Sequence, residues 1–420
     1  MNYILTHIHQ LIPVNAQGKL KLSGKDMAST LILQDAWLWV KDGKIKEFGI
    51  MSEFPDNISE VQLIPVPGRI VFPGFCDSHT HLVFAASREQ EFVDKIQGLT
   101  YEEIARKGGG ILQSAVHIEN CSEAELYDRA LERIQRLIQL GTTALEIKSG
   151  YGLTLENELK MLRVIARLKN NLFITLKSTF LGAHAIPLRW KNNPEGYVQE
   201  IIEEMIPVVG AEKLADYVDV FCDEGFFTPE QTLKILSAAA KWGLKPKIHA
   251  NELAISGGVQ AGIEAHAISV DHLERIGIEE IMALQNSTTL PVLLPGTSFF
   301  LRIPYGPARE LIEAGLPLVL ASDYNPGSSP SGNMQFIFSL GCIYLRLLPL
   351  EALVAITLNG AAALEISDQE GSLEPGKKAN FNITHPLPDI AALPYYYGES
   401  HIAHTAVQGV FQGTAPSGYR

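Results

Sequence analysis

Residues 73–81 read PGFCDSHTH. The apolar run Ile70–Phe75 before this stretch predicts a short strand, and Pro73 and Gly74 mark the approach to a turn. In extended backbone, residues i and i+2 point the same way, so His79 and His81 can present two imidazoles to one cation. Working outward, seven more short apolar runs alternate with amphipathic stretches: Thr143–Ile147, Phe173–Leu181, Val218–Cys222, Lys247–His249, Ala267–Val270, Pro291–Leu294 and Pro317–Ala321. Between them, Glu123–Leu140 carries Leu126, Ala130, Leu131, Ile134, Leu137 and Ile138 on one helical face, and Leu155–Leu168 and Glu230–Trp242 repeat the pattern. Eight strands with intervening helices predict a (β/α)8 TIM barrel. A doubly wound sheet is the alternative, and neither G-x-G-x-x-G nor G-x-x-x-x-G-K is present to support it.

Barrel active sites lie at the C-terminal ends of the strands. Polar residues stand where the apolar runs stop: His79 and His81, Lys148 and Tyr151, His184, Asp223, His249 and Glu252, His272, and Asp323. Alone, a strand-end His or Asp reads as a hydrogen-bonded cap. Together, His79, His81, His249 and Asp323 predict one metal ion per chain, Zn²⁺ or Fe²⁺/Fe³⁺, with a position left for water. Glu252, three residues after His249, is a candidate general base and then acid, against its plain reading as a helix N-terminal carboxylate. His272 is a second candidate, to orient or polarise the reacting group, or else a structural imidazole.

Both ends of the chain read differently from the middle. Ala36–Val40 is followed by Asp42-Gly43, a hairpin signal, and residues 371–410 hold short apolar runs between Pro and Gly. The expected organisation is a composite small β-sandwich-like domain from residues 1–68 and 366–420, around a barrel over 69–365. The 420 residues carry a net charge of -13. That field repels nucleic acid, and an acidic small-molecule substrate then needs a cation inside its pocket. Cys76, Cys121, Cys222 and Cys342 are scattered, which fits a reducing cytoplasm. The N-terminus lacks the pattern of a signal peptide, and no stretch reads as a membrane helix.

Several stretches resemble the amidohydrolase superfamily: PGFCDSHTHLVFAASR (73–88), TYEEIARKGGGI (100–111), EIKSGYGLT (146–154), FLGAHA (180–185), DVFCDEGFF (219–227), LLPGTSFFLRIP (293–304) and ASDYNPGSSP (321–330). H-x-H marks only the superfamily. KSGYGLT and DYNPGSSP are similar to a branch that opens a cyclic amide during histidine degradation. The resemblance implies the four metal ligands named above, and hydrolysis of 4-imidazolone-5-propionate to N-formimino-L-glutamate. It implies substrate contacts from Arg88, Tyr151, His184, Glu252, Asn325, Gly327 and Ser328. It also implies a homodimer. Asn251 stands before Glu252 where the family carries an acid, and strand four ends in Cys222-Asp-Glu-Gly without a lysine to bridge two metals. An aminohydrolase acting on a cytosine- or guanine-like base is the competing activity, and a non-catalytic barrel is a third reading. The triple glycine Gly108–Gly110 is either a plain turn or a lid over the pocket.

Overall fold

The computed structural model describes all residues except 57, 59, 60, 100–102, 104–108, 414, 418 and 420. Two eight-stranded sheets organise it. The first is built from the chain ends: β1 (Asn2–Leu11), β2 (Leu33–Lys41), β3 (Lys44–Ile50), β4 (Gln62–Pro65) and β5 (Ile70–Pro73). The second holds β6 (Phe75–Asp77), β7 (Thr142–Lys148), β8 (Thr175–Ala183), β9 (Tyr217–Cys222), β10 (Lys245–Ala250), β11 (Ser269–His272), β12 (Leu290–Leu293) and β13 (Val319–Leu320). The chain then returns to the first sheet through β14 (Phe381–Thr384), β15 (Ile402–Val407) and β16 (Val410–Gln412).

In the end sheet, β2 and β3 are joined through Asp42 and Gly43, both at positive φ (51° and 76°). That conformation matches the right-handed twist of two antiparallel strands. The apolar core of this sheet draws Leu5, Ile8 and Leu38 from one chain end and Phe381, Ile383 and Ala406 from the other.

In the second sheet all neighbouring strands are parallel and follow chain order from β6 to β13. Helices cross between them. Glu123–Gln139 starts with a capping box in which Ser122 and Glu125 satisfy each other's backbone, and it buries Leu126, Ala130, Ile134, Leu137 and Ile138. The circle closes where β6 and β13 end. Asp323 N–H donates to His79 O (3.0 Å) and His81 N–H to Tyr324 O (2.9 Å). Asp77 accepts from the Ser322 N–H (3.0 Å) and hydroxyl (2.5 Å). Three of the expected metal ligands, His79, His81 and Asp323, therefore stand at the closing seam, and the fourth, His249, is on β10.

One expected strand is corrected. Ile70–Phe75 is two strands in two sheets. Ile70–Pro73 pairs with β1 and β14 at the chain ends, and the barrel begins only at Phe75. The switch is at Gly74, whose N–H donates to Asn380 O in the end sheet, whereas the Phe75 N–H donates to Gly141 O beside the barrel. A Cβ on Gly74 would stand 2.3 Å from the Thr143 side chain. Boundaries elsewhere move by a few residues: Phe173 lies outside β8 and is 78% exposed, and the strand expected over Pro317–Ala321 is reduced to Val319–Leu320.

Gly74→Ala should therefore destabilise the protein by roughly 1–3 kcal/mol, the usual cost of an overpacked methyl. A urea melt would read this as a lower midpoint with an unchanged slope. An unchanged midpoint would mean that Thr143 yields freely.

Candidate metal and active site

His79 and His81 follow β6, His249 lies near the end of β10, and Asp323 follows β13. All four are buried. His79 Nε2 and His81 Nε2 are 3.3 Å apart, and His81 Nε2 and His249 Nε2 3.4 Å. Asp323 Oδ1 is 3.6 Å from His79 Nε2 and 3.5 Å from His81 Nε2. The edge of a tetrahedron with metal–ligand bonds of about 2.0–2.1 Å is about 3.4 Å, so the spacing fits one transition-metal ion. His79, His81 and His249 together form a group able to hold a metal.

The far nitrogens show which way the near ones face. His79 Nδ1 donates to Asp271 Oδ2 at 2.6 Å, and His249 Nδ1 stands 2.9 Å from Asp219 Oδ2. With Nδ1 protonated, a neutral imidazole turns a lone pair outward from Nε2. Burial first, then the charge of Lys148 and the neighbouring imidazoles, holds His79 well below the ordinary histidine range. His81 is lowered in the same way, by burial and then by His184 and His249. Neutral imidazoles with converging lone pairs repel one another, and a cation between them removes the repulsion. Asp323 is prepared likewise: the Thr297 hydroxyl donates to its Oδ2 at 2.6 Å, leaving Oδ1 toward the histidines.

Beneath the ligands lies a layer that a reading of strand ends misses. Glu146, Lys148, Asp219, Lys247 and Asp271 are buried inside the barrel. Lys148 Nζ is 2.5 Å from Glu146 Oε1 and 2.8 Å from Asp219 Oδ2, and Lys247 pairs with Glu146 from the other side. With all five ionised, the layer carries one net negative charge. Asp323 adds a second, which suits a divalent cation. The signal in the sequence was a charged residue at mid-strand in TALEIK, YVDVFC and SVDH, where a plain core strand has none.

Above the ligands, Glu252 and His272 meet at 3.5 Å, and His272 is 3.5 Å from Glu274 on its other nitrogen. Burial pushes the Glu252 carboxyl up, and the charge of His272 only partly offsets this. For His272, burial opposes the charged form, but Glu252 and Glu274 outweigh it, and the imidazole is raised toward imidazolium. The Glu252 turn is held by Asp223, whose carboxylate accepts from the N–H groups of Leu253 (2.8 Å) and Ala254 (3.2 Å). Asn251, standing where an acid was expected, donates to Arg275 O at 3.1 Å.

Tyr151 and His184 form a wall beside His81. His184 stacks on the His81 ring at 5.2 Å, and its Nδ1 bonds Gly150 O at 2.9 Å. Burial, and then His249, lowers His184 to about 3, so it is neutral. Arg88 lies near enough for its charge to act on both Tyr151 and His184. Its Nε and Nη2 donate to Glu91 at 2.9 and 2.7 Å, and Glu91 also accepts from the Gly110 N–H at 2.8 Å. Arg88 Nη1 passes over Gly327, where a Cβ would lie 2.3 Å from it. Asn325 builds that loop. Its Oδ1 accepts from the N–H groups of Gly327 and Ser328, and its Nδ2 donates to Asp323 O and Ser328 Oγ, all at 2.7–2.8 Å. Gly109 and Gly110 are buried, whereas Gly108 lies outside the described residues.

The profile of the amidohydrolase family matches residues 70–414. The fold is that of E. coli guanine deaminase (TM-score 0.71, 15% identity, 98% of each chain) and of Klebsiella pneumoniae 5-methylcytosine deaminase with 5-fluorocytosine (0.72, 17%, 97% of this chain and 96% of that one). Imidazolonepropionase of Flavobacterium johnsoniae is 50% identical over 406 residues, covering 97% of this chain and 98% of that one. The Christiangramia forsetii and Geobacillus kaustophilus imidazolonepropionases are 49% and 41% identical, over 97% and 95% of this chain and 99% and 95% of theirs. The chain belongs to the amidohydrolase family and, within it, to the imidazolonepropionases: it is a metal-dependent hydrolase of a small molecule.

Alanine at His79 or at Asp323 should strip the ion from the purified protein, read as metal per chain by plasma mass spectrometry. Thr297→Val, which frees Asp323 Oδ2, should weaken metal affinity by about 10–100-fold. Full occupancy in either alanine variant would remove that residue from the ligand set.

Proposed function

We propose that the chain hydrolyses the ring amide of 4-imidazolone-5-propionate to N-formimino-L-glutamate in histidine degradation. His79, His81, His249 and Asp323 would hold one Zn²⁺ or iron ion. The observation that carries the substrate is the place of Arg88. It follows the segment that carries His79 and His81, with two guanidinium nitrogens fixed by Glu91, Nη1 directed over Gly327 in the loop after Asp323, and a charge felt at Tyr151 and His184. A planar cation held in this way suits a carboxylate, and a neutral base has no use for it. The deaminases share the fold at low identity, whereas the imidazolonepropionases match through nearly the whole chain, which argues against the aminohydrolase reading.

A divalent ion at this site would supply Lewis acidity, making water a better nucleophile and a carbonyl a better electrophile. The chain's own residues do the rest. Glu252, raised by burial, takes a proton from the attacking water and gives it to the ring nitrogen as the C–N bond breaks. His272, held cationic by its two carboxylate neighbours, stabilises negative charge that develops on the carbonyl oxygen. Tyr151 and neutral His184 wall the ring, and Arg88 holds the propionate. Asn325 and Ser328 shape the loop that sets Gly327 under Arg88.

Cytoplasmic location and a homodimer complete the reading. Four unpaired cysteines fit a reducing compartment. The family resemblance implies the dimer, which light scattering on the eluted protein checks. Among the described residues, no helix is long and apolar enough to cross a membrane.

Glu252→Gln should keep metal and substrate binding and lose about 10²–10⁴-fold in kcat. If turnover stays within a few-fold of the parent, Glu252 only positions, and proton transfer passes to His272. Arg88→Met should lose activity on the acid by a large factor, with little loss on an analogue whose carboxylate is a neutral amide. Equal losses on both would mean that Arg88 shapes the pocket without reading charge.

A further inference from the structure

Lys148 takes no part in the chemistry above, yet it is fully buried and stands behind the ligands. Its ammonium contacts Glu146 Oε1 (2.5 Å) and Asp219 Oδ2 (2.8 Å) and lies 4.0 Å from Asp271 Oδ2. Those two aspartate oxygens are the ones that face His249 Nδ1 and His79 Nδ1. One cation thus sits at the junction of two carboxylate–imidazole pairs. The backbone of the same strand reaches the third ligand's segment. Lys148 N–H donates to Thr80 O (2.9 Å) and the Thr80 hydroxyl to Glu146 O (2.6 Å), bracketing the residue between His79 and His81. Two aspartates so close together in a dry interior repel each other, and each would turn away to find a donor of its own. The Lys148 ammonium holds Asp219 at contact distance with its oxygen toward His249, and its charge together with that of Lys247 favours an ionised Asp271.

We infer that Lys148 is a positioning residue for the metal centre: acting chiefly through Asp219, it fixes the imidazole of His249 and so sets how tightly the site holds its ion. The inference rests on the ligand set given under the proposed function, and not on the substrate. Its partner on the other side, Lys247, bonds Glu146 and Ser78 O and its charge also acts on Asp271, so the contact with Asp219 is what sets Lys148 apart.

The test is Zn²⁺ affinity by competition with a chelator, without substrate, for the parent, Lys148→Met, Asp219→Asn and the double variant. Losing a side chain that orients a metal ligand commonly costs about 10–100-fold in affinity, and Lys148→Met should fall in that range. Its lost turnover should return when Zn²⁺ is raised, with KM unchanged. The double variant should bind Zn²⁺ within about two-fold of Asp219→Asn, because residues in one network are not additive. Parent-like affinity in Lys148→Met would overturn the inference, as would a double variant whose losses add. Should Lys148→Met fail to fold, Lys148→Gln, which keeps a donor toward Asp219 but loses the charge, is read in the same competition, and parent-like affinity there overturns the inference equally. A parent that binds Zn²⁺ and ignores the imidazolone acid refutes the substrate reading alone. A parent that binds no Zn²⁺ refutes the ligand set and this inference together.

Discussion

Three buried imidazoles, with His81 Nε2 at 3.3 Å from His79 Nε2 and 3.4 Å from His249 Nε2, are the constraint on which this molecule turns. Such a cluster is unfavourable on its own. It holds because each contributor is fixed from behind by something stronger. Asp271 and Asp219 hold two of the rings, and Thr297 turns Asp323. The closing seam is part of the same arrangement, since the hydrogen bonds that join the first barrel strand to the last run through His79, His81 and Asp323 themselves. The backbone bonds that close the barrel are therefore the same ones that place His79, His81 and Asp323.

Electrostatics divides the barrel interior into layers. The lowest holds Glu146, Lys148, Asp219, Lys247 and Asp271, a closed network with one surplus negative charge. The ligands come next. Above them are Glu252 and His272, whose preferences burial and mutual attraction shift in the directions that proton exchange needs. Buried charges are costly unless paired. Here the pairing runs vertically, so the residues that look redundant for stability are the ones that orient the residues above. The chain's net charge of -13 works against an anionic substrate at long range. In the proposed reading Arg88 meets that problem locally, and its bond to Glu91 fixes its direction while offsetting part of its charge.

The barrel was legible in the sequence because a parallel barrel writes itself as apolar runs ending in polar residues. The grouping of His79, His81 and His249 was legible because polar residues stand at those ends. What stayed hidden had physical reasons. The run Ile70–Phe75 looks like one strand, since apolar side chains say nothing about which sheet takes the backbone hydrogen bonds, and the switch at Gly74 rests on a close approach of Thr143 that only three dimensions reveal. The charged layer was visible as odd letters in apolar strands, but the partners of Lys148 come from strands 71 and 123 residues further on. The loop bonds of Asn325, to Asp323 O and from the Gly327 N–H, were hidden too, because they depend on the fold of the turn after β13.

Backbone conformation at the strand ends completes the account. Asn251, His272, Leu273 and Asp323 all have positive φ, at 56°, 86°, 65° and 52°. Asn and Asp tolerate this region because their short side chains bond locally, and His272 and Leu273 tolerate it less well. Strain of this kind, of order 1–3 kcal/mol per residue, persists only where neighbours over-determine the chain. The neighbours are present: Leu273 N–H donates to Ala250 O (3.1 Å) and Arg275 N–H to Asn251 O (2.8 Å). These two bonds tie the end of β11 to the end of β10. Each strand turns sharply at the point where its polar residue must face the barrel axis, and the two turns are stapled to each other. His272 and Glu252 are thus brought together by backbone that neither could hold alone. The 3.5 Å between them is therefore set by the fold of these two strand ends, and under the proposed function that is a preorganised pair.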